Sequence, residues 1–282
     1  MAAVPTPRRF WKMHGAGNDF VILDLRGGRP APGAAERRRI ADRHTGVGCD
    51  QLIAVTDPEG ADAAAGYRIW NTDGGPAGQC GNGARCVAAW LARHGGVDAP
   101  AFRLDAPSGP VTVQRLDEGR WRLGMGRPRL AAPEIPWAGG GDTGAVALDL
   151  QGIRVEAGLV SMGNPHAVLE VEDVDTAPVA RLGAALQADP RFPDSVNVGF
   201  AQVLGPAHLR LRVYERGVGE TRACGSGACA AVVALVRRGR IGRRAVAVDL
   251  PGGRLVIDWP DDGAGVEMAG PAEFVFEGEW LA

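Results

Sequence analysis

The chain has 282 residues, 45% of them hydrophobic, with 33 acidic against 31 basic side chains and a formal net charge of −2. That is enough apolar material for one large domain or two ordinary ones, and the charge balance argues against nucleic acid as a partner. The opening "MAAVPTPRRFWKMHG" lacks the apolar core of a signal peptide, and the longest apolar run, around 228–236, is too short for a membrane span and ends in Arg237 and Arg238. A cytoplasmic protein without membrane attachment is expected.

In chain order, "GNDFVILD" (17–24) and "YRIWN" (67–71) have strand composition. A helix is expected from about Asn82 to His94, stopped by Gly95. "APSGPVTVQR" (106–115) reads as a turn and an alternating strand, and "RWRLGM" (120–125) as another strand. The Pro/Gly-rich segment 126–145 reads as a connection between domains. Strands follow in "IRVEAGLVSM" (153–162) and "LRVYE" (211–215), then a second helix from about Ser226 to Arg238, stopped by Gly239. "AVAVDL" (245–250) and "LPGGRLVIDW" (250–259) read as strands, and the terminal "AEFVFEGEW" as a strand able to return to the first domain.

Several of these segments are copies. "QCGNGARC" and "ACGSGACA" each open a helix, and the sulfurs of Cys80 and Cys224 lie 144 positions apart, as do Asn71 and Glu215. "GNDFVILD" and "GNPHAVLE" (163–170) are offset by 146, and Gln51 and Asn197 share that offset. Matches in the same order at nearly constant offset point to a duplicated, strand-rich unit with one central helix.

The five cysteines are odd in number and contain no Cys-x-x-Cys spacing, which disfavours a disulfide framework or a structural zinc site. Lys12 is the only lysine. A P-loop has no place here, and pyridoxal phosphate would need that one residue as its Schiff base. A cysteine at a helix N-terminus meets unpaired N–H groups and the positive dipole end, worth about 0.3–1 kcal/mol towards thiolate. Two such cysteines on duplicated units that face each other would address one carbon from opposite sides, one sulfur taking a proton and the other giving one. Cys86 and Cys229 lie inside the helices, are not repeat-equivalent and read as core; Cys49 has no counterpart and no assigned role. Asn18, Gln51, Asn71, Asn164 and Asn197 are amides suited to a small zwitterion or, equally, to turns. Glu215-Arg216 is a substrate-binding pair or a solvated one. His14 and His166 read as structural or supporting.

"KMHGAGNDFVILD", "QCGNGARC", "VSMGNPHAV", "YERGVGETRACGSGACAA" and "VDLPGGRL" together resemble the diaminopimelate epimerases, a family of cofactor-independent amino-acid epimerases and racemases. The motifs run from 12 to 254, and the one ending in Cys224-Gly225-Ser226 is highly specific. The resemblance implies an α/β (α+β) fold of two pseudo-symmetric domains, each a barrel-like, mostly antiparallel sheet around a central helix. With it, residues 1–125 form the first domain, joined by 271–282, and 126–270 the second. It implies Cys80 and Cys224 as the acid/base pair. It implies Gly81, Asn82, Gly225 and Ser226 as donors to the reacting carboxylate. Asn71, Asn164, Asn197, Glu215 and Arg216 would hold the distal end of the substrate, and Asn18 and Gln51 would complete the pocket. The implied reaction interconverts LL- and meso-diaminopimelate in lysine and peptidoglycan precursor biosynthesis, with no cofactor and no metal, and the family suggests a homodimer. The chain departs from the family at Gly75-Pro76-Ala77-Gly78, where polar residues are commoner.

Proline racemase relatives also use two cysteines; Glu215-Arg216 and the amides, which suit a second amino-acid terminus, favour diaminopimelate over proline. Two other classes stay open at this point. A thiol redox protein would pair Cys80 with Cys224 as a reversible disulfide, and an amino-acid-binding protein would hold the ligand without exchanging its proton.

Overall fold

The computed structural model describes residues 7–281 apart from Gln79, Glu118 and Gln151. Gln79 of the first cysteine motif and the first six residues of the opening therefore lie outside the described residues. The chain divides into two compact units: one runs to Leu123 and resumes at Gly270, the other is Gly124–Ala269.

The first unit contains β1 (Arg8–Gly15), β2 (Asn18–Asp24), α1 (Ala34–Ala41), β3 (Gln51–Thr56), β4 (Ala63–Asn71), α2 (Gly81–His94), β5 (Ala101–Ala106), β6 (Gly109–Asp117), β7 (Arg120–Gly124) and, from the far end of the chain, β17 (Glu273–Trp280). β1 pairs antiparallel with β17 on one side and β2 on the other. β2–β3 and β4–β5 are parallel, and β3–β4, β5–β6 and β6–β7 antiparallel. The two-residue turn between β1 and β2 uses Ala16 (φ 53°) and Gly17 (φ 80°), the positive-φ pair that matches strand twist. It sets Asn18 as the first residue of β2.

The second unit contains β8 (Val146–Leu150), β9 (Ile153–Ser161), β10 (Pro165–Glu170), α3 (Val179–Gln187), β11 (Asn197–Gly205), β12 (His208–Glu215), β13 (Gly219–Thr221), α4 (Gly225–Arg237), β14 (Val246–Leu250), β15 (Gly253–Asp258) and β16 (Glu267–Pro271). β8–β9–β10 is antiparallel, β10–β11 parallel, β11–β12 antiparallel, β12–β14 parallel, and β14–β15–β16 antiparallel. This is the first unit's sequence of pairings repeated. The weak offset of 146 holds in the register: Phe20 faces Gln51 in one unit, and His166 faces Asn197 in the other.

Each unit packs its sheet on one helix. α2 touches β1 and β2 near one end of its sheet and β6 near the other; α4 touches β9, β10, β11, β12 and β15. Both helices are buried on every side over most of their length. A helix without a wet face needs an apolar or small surface all round. "ACAAVVALV" in α4 supplies it, and so does the middle of α2 apart from the buried Arg85. The sheets curl round the helices but do not close: among the described residues no ladder joins β7 to β17, or β16 to β8.

Residues 126–145 are more than a connector. Arg129 exchanges backbone hydrogen bonds with Ser161, and Leu159 N–H donates to Thr143. Ile135 and Trp137 sink into the cluster of Leu159, Phe192 and Phe200. The Pro/Gly content reflects a strap bent over this unit's core, and composition alone cannot tell a strap from a linker.

The loop between β4 and α2 is tied down by Asn71 N–H to Gly75 O and Ala77 N–H to Ile69 O, each 2.9 Å. Gly74 there has φ +80°, and a Cβ on it would lie 2.6 Å from the Ala34 carbonyl oxygen. Gly74→Ala therefore combines backbone strain with a clash against main chain. A loss of about 1–3 kcal/mol is expected, seen as a melting point lower by several degrees in a thermal scan; an unchanged melting point would contradict the tightness of this loop.

Candidate active site

In the first unit Cys80 is the N-cap of α2, in extended conformation (φ −133°, ψ 107°), and its sulfur accepts from Gly83 N–H at 3.4 Å. An N–H aimed at sulfur favours the thiolate. Its thiol also lies 3.7 Å from Asn18 Oδ1, to which Asn82 Nδ2 donates at 3.3 Å. Arg85 Nη2 donates to Asn82 Oδ1 at 2.7 Å, which fixes that amide. Gln51 and Asn71 face each other across β3 and β4 and form a separate pair, Nε2 to Oδ1, at 3.1 Å.

In the second unit Cys224 is the N-cap of α4 with nearly the same backbone (φ −115°, ψ 107°). It is 5% exposed. Its thiol donates to Glu215 Oε2 at 3.1 Å and lies 3.6 Å from Ser226 Oγ. Thr221 Oγ1 donates to the other carboxylate oxygen, Oε1, at 2.5 Å. Burial, then the Glu215 charge and its hydrogen bond, push the Cys224 thiol well above its ordinary range; Ser226 and the Gly227 N–H act in the opposite sense. Cys224 is therefore a thiol at neutral pH.

Asn164 Nδ2 donates to Ser226 Oγ at 3.4 Å, and its Oδ1 meets His166 Nε2 at 3.0 Å. His166 is buried, and that burial, with Arg216 adding to it, lowers its pKa to about 3. The ring is neutral and donates from Nε2 to the amide oxygen. Asn197 donates to Pro165 O and accepts from Arg216 N–H, both at 3.0 Å. The Arg216 guanidinium is anchored on Asp194 O at 2.6 Å, with the side chain otherwise outward.

The two helix starts share a steric need. A Cβ at Gly83 would come 2.8 Å from Ile53 Cδ1, and one at the equivalent Gly227 would come 3.0 Å from Val213 Cγ2 and 3.2 Å from the Cys224 sulfur. Glycine lets the first turn press against the strand while its amides stay near the sulfur. Gly81 and Asn82, and Gly225 and Ser226, occupy the turn whose N–H groups have no intrahelical acceptor.

Of the residues read from the sequence, Asn18 and Asn82 gather at Cys80, and Asn164, Glu215 and Ser226 at Cys224. The Glu215 carboxylate accepts from the Cys224 thiol on one oxygen and from Thr221 Oγ1 on the other. Cys49, Cys86 and Cys229 are at most 1% exposed, in keeping with a core role for the last two. Burial raises the Cys49 thiol to about 12. Thr221 and Asp50 escaped the sequence reading. Asp50 receives Asn18 Nδ2 at 2.8 Å. Their positions beside Gln51 and just before Cys224 were the available signal.

A family model described as diaminopimelate epimerase matches residues 10–131 and 158–275. The chain is 59% identical over 273 residues to the diaminopimelate epimerase of Xanthomonas campestris pv. campestris, covering 96% of each. It is 53% identical over 279 residues to that of Xylella fastidiosa, covering 99% of this chain and 98% of the relative. Among solved structures it is similar to a phenazine biosynthesis protein of the PhzF family from Bacillus anthracis (TM-score 0.72, 15% identity, 99% of this chain and 100% of the other). It is also similar to a probable proline racemase from Agrobacterium radiobacter (TM-score 0.67, 17% identity, 97% and 92%). These two likenesses carry the fold alone, whereas the family model and the sequence relatives carry the assignment: the chain belongs to the diaminopimelate epimerase family.

Proposed function

We propose that the chain interconverts LL- and meso-diaminopimelate by moving the α-proton between two cysteines, Cys80 and Cys224. The family supports the reaction. The observation that supports the mechanism is the pair of N-cap cysteines with unequal acceptors: each sulfur has a first-turn N–H beside it, but the Cys80 thiol faces the neutral Asn18 amide oxygen while the Cys224 thiol donates to the Glu215 carboxylate. In one direction the Cys80 thiolate takes the α-proton, so that the Cα–H bond breaks as an S–H bond forms. The electron pair spreads into the α-carboxylate. The Cys224 thiol then protonates the opposite face of the carbon and is left as thiolate. The reverse direction exchanges the roles.

The first-turn N–H groups at Gly81, Asn82, Gly225 and Ser226 are suited to the charge growing on the carboxylate, where one such donor is worth about 3–4 kcal/mol. Glu215, hydrogen-bonded to Cys224, keeps that thiol protonated until it is used. Glu215, Arg216, Asn71, Asn164 and Asn197 are assigned to the distal amino-acid end of the substrate, with Asn18 and Gln51 completing the pocket. Among the described residues no helix is long and apolar enough to cross a membrane. Cytoplasmic residence, a homodimeric state, and turnover of a small diffusible substrate complete the proposal.

Cys80→Ala and Cys224→Ala should each abolish epimerisation, while Cys86→Ala and Cys229→Ala should keep turnover and lose on the order of 1 kcal/mol of stability. Coupled assay of diaminopimelate turnover and thermal melting separate the two; near-normal turnover in either of the first pair ends the two-cysteine mechanism.

Glu215→Gln removes a charge that raises the Cys224 thiol, so the pH midpoint for Cys224 alkylation should fall. Turnover should drop on the order of 10²-fold or more, the usual share of acid/base catalysis. An unmoved midpoint would remove Glu215 from the proton path.

Substrate choice follows from the polar distal groups. Lysine lacks the distal carboxylate, and alanine and proline lack the whole distal end, so the charge-assisted hydrogen bonds that these groups offer it are lost. Discrimination of about 10⁴-fold in kcat/KM is expected, and Arg216→Met should narrow it by weakening diaminopimelate turnover. Equal kcat/KM for proline would move the substrate assignment to the racemase relatives.

A further inference from the structure

We propose that Asp50 is a positioning residue for Cys80: it holds the Asn18 amide with the nitrogen turned away and the oxygen turned onto the sulfur. The proposal rests on Cys80 being one of the two proton carriers, and it adds what sets that sulfur's hydrogen-bond partner. An ionised carboxylate only accepts hydrogen bonds. Asp50 Oδ2 takes Asn18 Nδ2 at 2.8 Å and Asp19 N–H at 3.1 Å, and its Oδ1 takes Arg43 Nη2 at 2.7 Å. With the amide nitrogen committed there, Asn18 Oδ1 points the other way, to Asn82 Nδ2 at 3.3 Å and the Cys80 thiol at 3.7 Å.

Asp50 is itself held. Its backbone N–H donates to Asp19 Oδ1 at 3.0 Å, and Arg43 bridges both carboxylates, reaching Asp19 at 2.7 and 3.0 Å. Lys12, buried, donates to Asp19 Oδ2 and to Gly48 O. A chain of ionic hydrogen bonds on the β2–β3 side thus ends on one neutral amide beside the sulfur. An oxygen at that place favours the S–H form; a nitrogen donor there, or nothing, favours the thiolate. Asp50 therefore moderates the thiolate preference that the Gly83 N–H imposes.

Other titratable groups act on the same sulfur. Tyr67 of β4 is raised first by burial and then by the Cys80 charge, and Cys86, on α2 beside Arg85, is raised by burial and also feels Cys80 and Glu273 of β17. None of these changes in a comparison of Asp50 variants.

The test is the pH dependence of Cys80 alkylation by iodoacetamide, read by peptide mapping without substrate. Asp50→Ala should lower the Cys80 midpoint by about one pH unit, the worth of one hydrogen bond, while leaving the Cys224 midpoint in place. Asp50→Asn should stay near wild type, because its amide oxygen can still accept from Asn18 and from the Asp19 N–H. Equal shifts in both variants would show a simple charge effect and overturn the proposal, as would no shift in either. In the wild type, the Asn18 side-chain amide protons should exchange with solvent more slowly than those of a free amide, as the bond to Asp50 requires; exchange at the free rate also overturns it, whether or not the alanine variant folds. Failure of the wild type to epimerise diaminopimelate would count against the function and leave these readings intact.

Discussion

The interaction on which the rest depends is a sulfur placed at the N-cap of a helix that is buried all round. A first-turn amide can reach a sulfur only if nothing intervenes, and each unit secures this with glycines and a strand pressed close: Gly83 against Ile53, Gly227 against Val213. The burial that creates the site also sets its chemistry. At Cys224 desolvation opposes the thiolate, and Glu215 reinforces that opposition. At Cys80 the sulfur is less buried, and the acceptor beside it is a neutral amide oxygen where Cys224 has a carboxylate. Duplication supplied two copies of one geometry, and the residues around them made the copies unequal.

That inequality is written in repeat-equivalent positions. Asn18 and Asn164 descend from the same place in the two units, yet Asn18 presents oxygen to a thiol and Asn164 presents nitrogen to Ser226. Gln51 and Asn197 both open a parallel strand next to the hairpin, and one pairs with Asn71 while the other secures Arg216 N–H. Asn71 and Glu215 both end a strand nine residues before a cysteine, and only the carboxylate meets the sulfur. The proposed proton shuttle needs two sulfurs, one ready to accept and one ready to donate, and these substitutions would provide that difference within one architecture.

Much of this was legible in the sequence because glycines, cysteines and helix stops leave local signals. α2 and α4 begin within a residue of where Cys-Gly and the closing glycines put them. The duplication survived as spacing even where residue identity did not, as with Gln51 and Asn197, because register in a curled sheet tolerates substitution better than insertion. Other features were not legible. The strap at 126–145 has the composition of a linker, and only its burial of Ile135 and Trp137 distinguishes it. Barrel-like curling was expected from resemblance, but whether the sheet closes depends on edge pairing, which composition does not encode. The hydrogen bond between Glu215 and Cys224 was not legible, because it depends on a side-chain direction that spacing does not fix. Asp50 was invisible for the same reason.

The central claim is that two sulfurs exchange the α-proton of one carbon with solvent during inversion. The most direct measurement is epimerisation of LL-diaminopimelate in heavy water, with mass analysis of the meso product formed early in the reaction. The two-cysteine account predicts one deuteron at the inverted α-carbon, delivered by a thiol that has equilibrated with solvent. Meso product that forms at the normal rate and retains its original proton would contradict it.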